Sequence, residues 1–188
     1  MAELITVKGS YIVYTLKYLA ANYPENVVDA ILGGVSTKAR QTIKMTLVGT
    51  QCPITILGEL LDAIQMVLGK DNPSINYVIG KETFKMTFSS VYKLFLRFGN
   101  PHYVLEKSAT LWSSFCSAGK LSCAERTPKR AILRLTDFPY KHEQYCAQRL
   151  RGGFEAILEL CGCQIEISNH SKCRSKNADC CEWIFTWK

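Results

Sequence analysis

Four residues in the last quarter of the chain, Cys146, His170, Cys173 and Cys181, constrain the fold more than any other feature. They have the residue types and spacing of a tetrahedral zinc site. Two residues separate His170 from Cys173, and seven separate Cys173 from Cys181. Thiolate sulfur and imidazole nitrogen are the donors that Zn²⁺ selects, and a closed set of four is its structural form. Six of the nine cysteines fall between Tyr145 and Trp187. The competing reading is that these cysteines are small buried hydrophobes and His170 an ordinary strand-end residue, because the spacing is not that of a paired Cys-x-x-Cys ribbon.

The flanking pattern favours a hairpin. From Cys163 to His170 apolar and polar residues alternate, as in a half-buried strand. Cys181, Trp183, Phe185 and Trp187 share one face of a second strand, and the polar stretch Arg174 to Asp179 turns between them. Cys146 comes from the start of an adjacent helix and ties it to the sheet. Parity along the second strand selects Cys181 over Cys180 as a ligand.

A chain of 188 residues with 47% hydrophobic and 21% charged residues fits one domain, 1–188. No apolar run reaches the roughly 18 residues that a membrane helix needs. The first residues lack the basic and apolar regions of a secretory signal. Nine cysteines, an odd number, then argue for reduced thiols and metal in a cytoplasmic protein. The net charge is +7, with 9 basic and 7 acidic residues in 1–94 and 14 and 9 in 95–188. The basic residues are scattered and no aromatic–basic motif accompanies them, so nucleic acid is not an expected partner.

Residues 1–119 read as mostly helical. Helices are predicted from Ser10 to Tyr23, from Glu25 to Leu32, from Ser36 to Leu47 and from Pro53 to Leu68. The last carries the stripe Ile54, Leu57, Leu61, Ile64 and Leu68. A further helical region runs from Asn72 to Phe98 with a break near Gly80, and another from Pro101 to Ala118. Residues 120–188 read as sheet plus one helix: strands over Lys120–Glu125 and Arg130–Phe138, a helix from about Lys141 to Leu160, then the closing hairpin. The expected fold is α+β, a helical layer on an antiparallel sheet of about four strands with a long inserted helix.

Several phrases carry a family resemblance across nearly the whole chain: Lys8-Gly-Ser10, Leu57-Gly-Glu-Leu-Leu-Asp-Ala-Ile64, Ile79-Gly80, Val91-Tyr-Lys-Leu-Phe-Leu-Arg-Phe-Gly99, Asn100-Pro101, Leu111-Trp112, Gly119-Lys-Leu121 and Cys173…Cys181…Phe185-Thr-Trp187. They resemble a bacterial paralogue family related to the 4-vinyl reductase domain. That group shares a fold with haem nitric-oxide-sensing domains and transport protein particle (TRAPP) subunits. The resemblance implies an often dimeric α/β domain with a buried ligand pocket. Sensor domains of phenol-responsive activators in the same group are similar at this C-terminus, with a zinc site of Cys, Glu, Cys and Cys. Laid on this chain, those positions are Cys146, His170, Cys173 and Cys181, with His170 a departure that is still a zinc ligand.

The resemblance implies a sensory or signalling domain that binds a small hydrophobic or aromatic ligand, with structural zinc. The alternative is a TRAPP-like adaptor acting through a protein partner. Tyr92, Phe95, Tyr103, Trp112 and Phe115 are the candidate lining, although aromatics at helical spacing are commonly plain core. Haem is not expected, since His102 follows Pro101 at a helix start, a poor place for a proximal ligand. No dinucleotide fingerprint, phosphate loop or nucleophile elbow is present, so enzyme activity is not expected. Asp137, His142 and Glu143 are read as surface charges beside a helix start.

Overall fold

The computed structural model describes residues 4–91 and 100–188. Among the described residues, six helices and two short strands come first, in an order set by apolar spacing and caps. Strand β1 (Thr6–Lys8) leads into α1 (Ser10–Asn22), α2 (Glu25–Gly33) and α3 (Thr37–Met45), then β2 (Gln51–Pro53), α4 (Ile54–Leu68), α5 (Ile75–Val91) and α6 (Pro101–Phe115). Ser36 caps α3 by accepting from the Ala39 amide at 3.2 Å. Asn100 caps α6 by accepting from the His102 and Tyr103 amides, with Pro101 in the first turn. In α4 the stripe predicted from spacing is the buried face, with Ile54, Leu57, Leu61 and Ile64 each at most 2% exposed. Among the described residues no helix is long and apolar enough to cross a membrane.

Three departures from the sequence reading have physical causes. Strands β1 and β2 pair antiparallel, Val7 opposite Cys52; three residues are too few to show a period. Helix α5 passes through Gly80 without a break, because the missing side chain lets the helix approach other backbone rather than ending it. Helix α6 stops at Phe115 rather than Ala118. Cys116 turns extended to bridge Val7, and the Ser117 amide donates to the Thr6 carbonyl at 2.9 Å.

The second half is a four-stranded antiparallel sheet of order β3-β4-β6-β5. Its strands are β3 (Lys120–Thr127), β4 (Arg130–Thr136), β5 (Ile165–Lys172) and β6 (Cys181–Trp187). Between β4 and β5 lies a π-helical segment, Gln144–Leu150, that runs straight into α7 (Arg151–Leu160). Leu133 and Leu135 of β4 and Trp183 and Phe185 of β6 are fully buried on the face covered by α7. Phe154 of α7 meets Trp183 edge-on at 5.1 Å. On the other face Glu182 is held by Arg134 at 2.6 Å and by the Ser171 hydroxyl at 2.8 Å. The outer strand β5 is irregular: its register against β6 slips twice, between Ile165 and Ile167 and between His170 and Lys172.

Helices α5 and α7 touch through glycine. A Cβ at Gly152 would collide with the Tyr77 carbonyl, and one at Gly80 with the Arg149 carbonyl. Neither obstacle is a side chain that can swing away. Gly152→Ala is expected to cost about 1–3 kcal/mol of unfolding free energy, as overpacked sites do, read from urea denaturation. Gly33→Ala meets nothing within 4 Å and is the control.

Candidate metal centre and ligand cavity

The closing hairpin brings His170, Cys173 and Cys181 together, their ligand atoms all within 4.8 Å of one another. His170 comes from the end of β5, Cys173 follows it, and Cys181 opens β6. The chain reverses through a short 3-10 turn, Arg174–Lys176, closed by Asn177 in the left-handed region at φ 64°. Cys146 arrives from the π-helical segment and hydrogen-bonds to both Cys173 and Cys181. It touches two members of the trio without belonging to the mutual set. Cys180 is also buried, but lies beside Asp179 and outside the cluster.

The electrostatics of the cluster suit metal donors. Hydrogen bonds from Cys146 pull the thiols of Cys173 and Cys181 down against the opposing effect of burial. The Ser175 hydroxyl, 2.9 Å away, helps Cys173, and the His170 imidazole helps Cys181. The same interactions with Cys173 and Cys181, together with burial, push the Cys146 thiol up. His170 stacks on Trp183 at 5.2 Å, and its Nε2 is buried with no hydrogen-bond partner. Three sulfurs and one imidazole are a donor set for tetrahedral zinc. The indole Nε1 of Trp183 donates to the Cys146 carbonyl at 3.0 Å, which fixes the height of the π-helical segment above the hairpin.

The second feature is a cavity of about 30 Å³ between α1, α5, α6, α7 and the start of β3. By the measure that gives one water about 10–15 Å³, this is room for roughly two waters. Its walls include Phe84, Phe88, Trp112, Phe115 and Phe154, with Ser10, Thr83, Thr87 and Arg149 among the polar members. Phe84 stacks on Phe88 at 6.0 Å, and Phe88 on Phe115 at 6.3 Å. Tyr11 meets Phe84 edge-on at 5.7 Å. Arg149 is fully buried; its Nη2 donates to the Tyr11 carbonyl at 3.0 Å and to the Thr15 hydroxyl at 2.9 Å. Its Nε and Nη1 have no partner. Burial pulls the guanidinium down to about 10, while the nearby phenols of Tyr11 and Tyr145 act the other way.

Of the residues proposed from sequence to line a pocket, Trp112 and Phe115 lie in the wall. Tyr103 is 38% exposed, with Lys107 over its ring, and is not in the wall. Tyr92 and Phe95 lie outside the described residues. Phe84 and Phe88, one helical turn apart, carried a period that could have found them. Nothing in the sequence marked Tyr11 or Arg149. The surface charges are dispersed: Asp137 pairs with Lys120, His142 with Asp62 and Glu143 with Lys176.

No family model and no curated protein matches the chain. Solved structures do. An H-NOX protein from S. oneidensis in the Fe(II)NO ligation state superposes with a TM-score of 0.72 at 13% identity, covering 96% of this chain and 99% of that one. The unliganded Fe(II) H-NOX protein from K. algicida gives a TM-score of 0.69 at 11% identity, over 96% of each chain. The Fe(II)CO H-NOX domain from Shewanella oneidensis gives 0.62 at 17% identity, over 96% and 98%. The likeness is one of fold, the α+β fold of these H-NOX proteins.

This corrects the expectation that haem has no place here. That expectation weighed only the position of His102, whereas the proteins sharing this fold are H-NOX proteins described in Fe(II), NO-bound and CO-bound states. The chain's own residues answer the fit in two parts. His102 offers an imidazole whose two ring nitrogens are both buried and unpartnered, its ring 5.4 Å from Trp187. The cavity, at about 30 Å³, is far below the roughly 300–1,000 Å³ of small-molecule sites, so a porphyrin needs its aromatic walls to move.

Trp183→Phe keeps the ring and removes the donor to the buried Cys146 carbonyl. The expected loss is about 1–3 kcal/mol, measured by urea denaturation in parallel with the wild type.

Proposed function

We propose that this chain is a ligand-binding sensory domain. Its ligand, a small and largely apolar molecule, sits among Phe84, Phe88, Trp112 and Phe115. Its closing hairpin is pinned by a structural zinc ion on Cys146, His170, Cys173 and Cys181. The observation that carries the sensory reading is the aromatic cavity with buried polar groups inside it, in a chain with the fold of H-NOX proteins. A ligand larger than two waters enters by displacing rings, and ring displacement moves α5 and α6 against α7. That gives binding a mechanical output that a dimer or a protein partner reads. An iron porphyrin belongs among the ligands to be tested. Its iron would supply binding of diatomic gases; His102 has two unpartnered ring nitrogens to offer an iron, but it does not line the cavity.

The zinc reading rests on the convergence of His170, Cys173 and Cys181, on Cys146 beside the two thiols, and on those thiols being pulled down within the cluster. A structural zinc site contributes on the order of 10 kcal/mol to folding. Metal analysis with native mass spectrometry is expected to find one zinc per chain. Cys173→Ser and Cys181→Ser lose it and Cys180→Ser keeps it. Equal zinc content in Cys180→Ser and Cys181→Ser, or none in the wild type, ends this assignment.

For the ligand, thermal melting against a panel of phenols, alkyl compounds and haemin is the test. A compound present at a hundred times its Kd is expected to stabilise the fold by about 2.7 kcal/mol. If no class shifts melting and a stoichiometric protein partner is recovered instead, the adaptor reading replaces this one.

A further inference from the structure

We infer that the cavity takes the carboxylate of a largely apolar organic acid, with Arg149 as its counter-ion. This rests on the reading of the cavity as the ligand site and names the chemical class of what it holds. Arg149 stands on the π-helical segment Gln144–Leu150 and is fully buried. A guanidinium buried that deeply ordinarily meets a carboxylate, because a charge removed from water without a counter-charge is costly. Here the nearby groups are neutral. One nitrogen reaches a backbone carbonyl and a hydroxyl, and the guanidinium carbon lies 5.8 Å from the centre of the Tyr11 ring. Nε and Nη1 reach nothing. Among the described residues no carboxylate pairs with it.

The space beside this cation is the cavity itself. Arginine's planar fork is the side chain best matched to a carboxylate. The room present, about 30 Å³, suits a carboxylate head at the guanidinium. The walls beyond it are the rings of Phe84, Phe88, Trp112 and Phe115, which would take an alkyl or aromatic body. A neutral ligand of the same shape would leave the charge uncompensated, so the site selects acids over the matching alcohols. The acid could be a free organic acid or the carboxylate arm of a porphyrin, and the test separates the two.

The experiment uses the full chain with zinc, and probes decanoate, decanol and haemin by calorimetry and thermal melting. Decanoate is expected to bind at least about tenfold more tightly than decanol, as a buried charge-assisted pair demands. Arg149→Met should remove that preference, weakening decanoate far more than decanol, and should raise the melting temperature of the ligand-free protein by deleting an uncompensated charge. Arg149→Lys keeps the charge without the fork and should retain part of the preference. Should Arg149→Met fail to fold, the wild-type comparison of acid with alcohol and the Arg149→Lys series decide the matter. Haemin binding that Arg149→Met weakens, with no decanoate binding, assigns the carboxylate to a porphyrin. Decanoate and decanol binding alike overturns the inference and leaves the cavity a ligand site. If none of the three probes binds, the inference and the ligand-site reading fall together.

Discussion

Backbone against backbone is the contact on which the rest of the molecule depends. Where α5 crosses the segment from Gln144 to Leu160, Gly80 lies on the Arg149 carbonyl and Gly152 on the Tyr77 carbonyl. A side chain at either position would drive the helices apart. Polar bonds flank the crossing: Lys81 bridges Glu155 at 2.9 Å and Glu159 at 2.6 Å, and the Tyr77 hydroxyl donates to Glu155 at 2.6 Å. The fit is close on the inside and held by charge at the rim. Phe84 is thereby seated over Gly153, and the aromatic stack of the cavity starts from that point.

The π-helical segment adds a second consequence. A widened helical turn is rare, and it changes which residues of one turn face which neighbour. Here Cys146 reaches down to the hairpin while Arg149, three residues later, reaches into the cavity beside Tyr11 and Thr15. One short stretch therefore serves two neighbourhoods with different chemistry. Trp183 anchors it from below through the Cys146 carbonyl.

Much of this was legible in the residues, because the relevant signals are local and periodic. The stripe of α4 and the alternation in β6 announce themselves within a dozen positions. The capping Asn100 and Pro101 fix the start of α6 in the same way. His170, Cys173 and Cys181 are gathered by a hairpin whose two halves alternate, so their meeting followed from the pattern. Arg149 was not legible: in Gln-Arg-Leu-Arg it has the look of a solvated helix face, and only the tertiary fold shows that it is inside. The β1–β2 pair failed for the opposite reason. Its partners are 45 positions apart at Val7 and Cys52, and three residues carry no period. The end of α6 depended on that pair as well, through the bridge from Cys116 to Val7. The argument from His102 against haem weighed a helix start and could not see the fold around it.

The double slip of β5 against β6 leaves the outer rim of the sheet without a regular row of amides and carbonyls. A newcomer strand finds no continuous template there, so stacking of copies along this rim is discouraged. The hairpin can thus keep its buried sulfur cluster beside an edge strand without inviting fibrous growth.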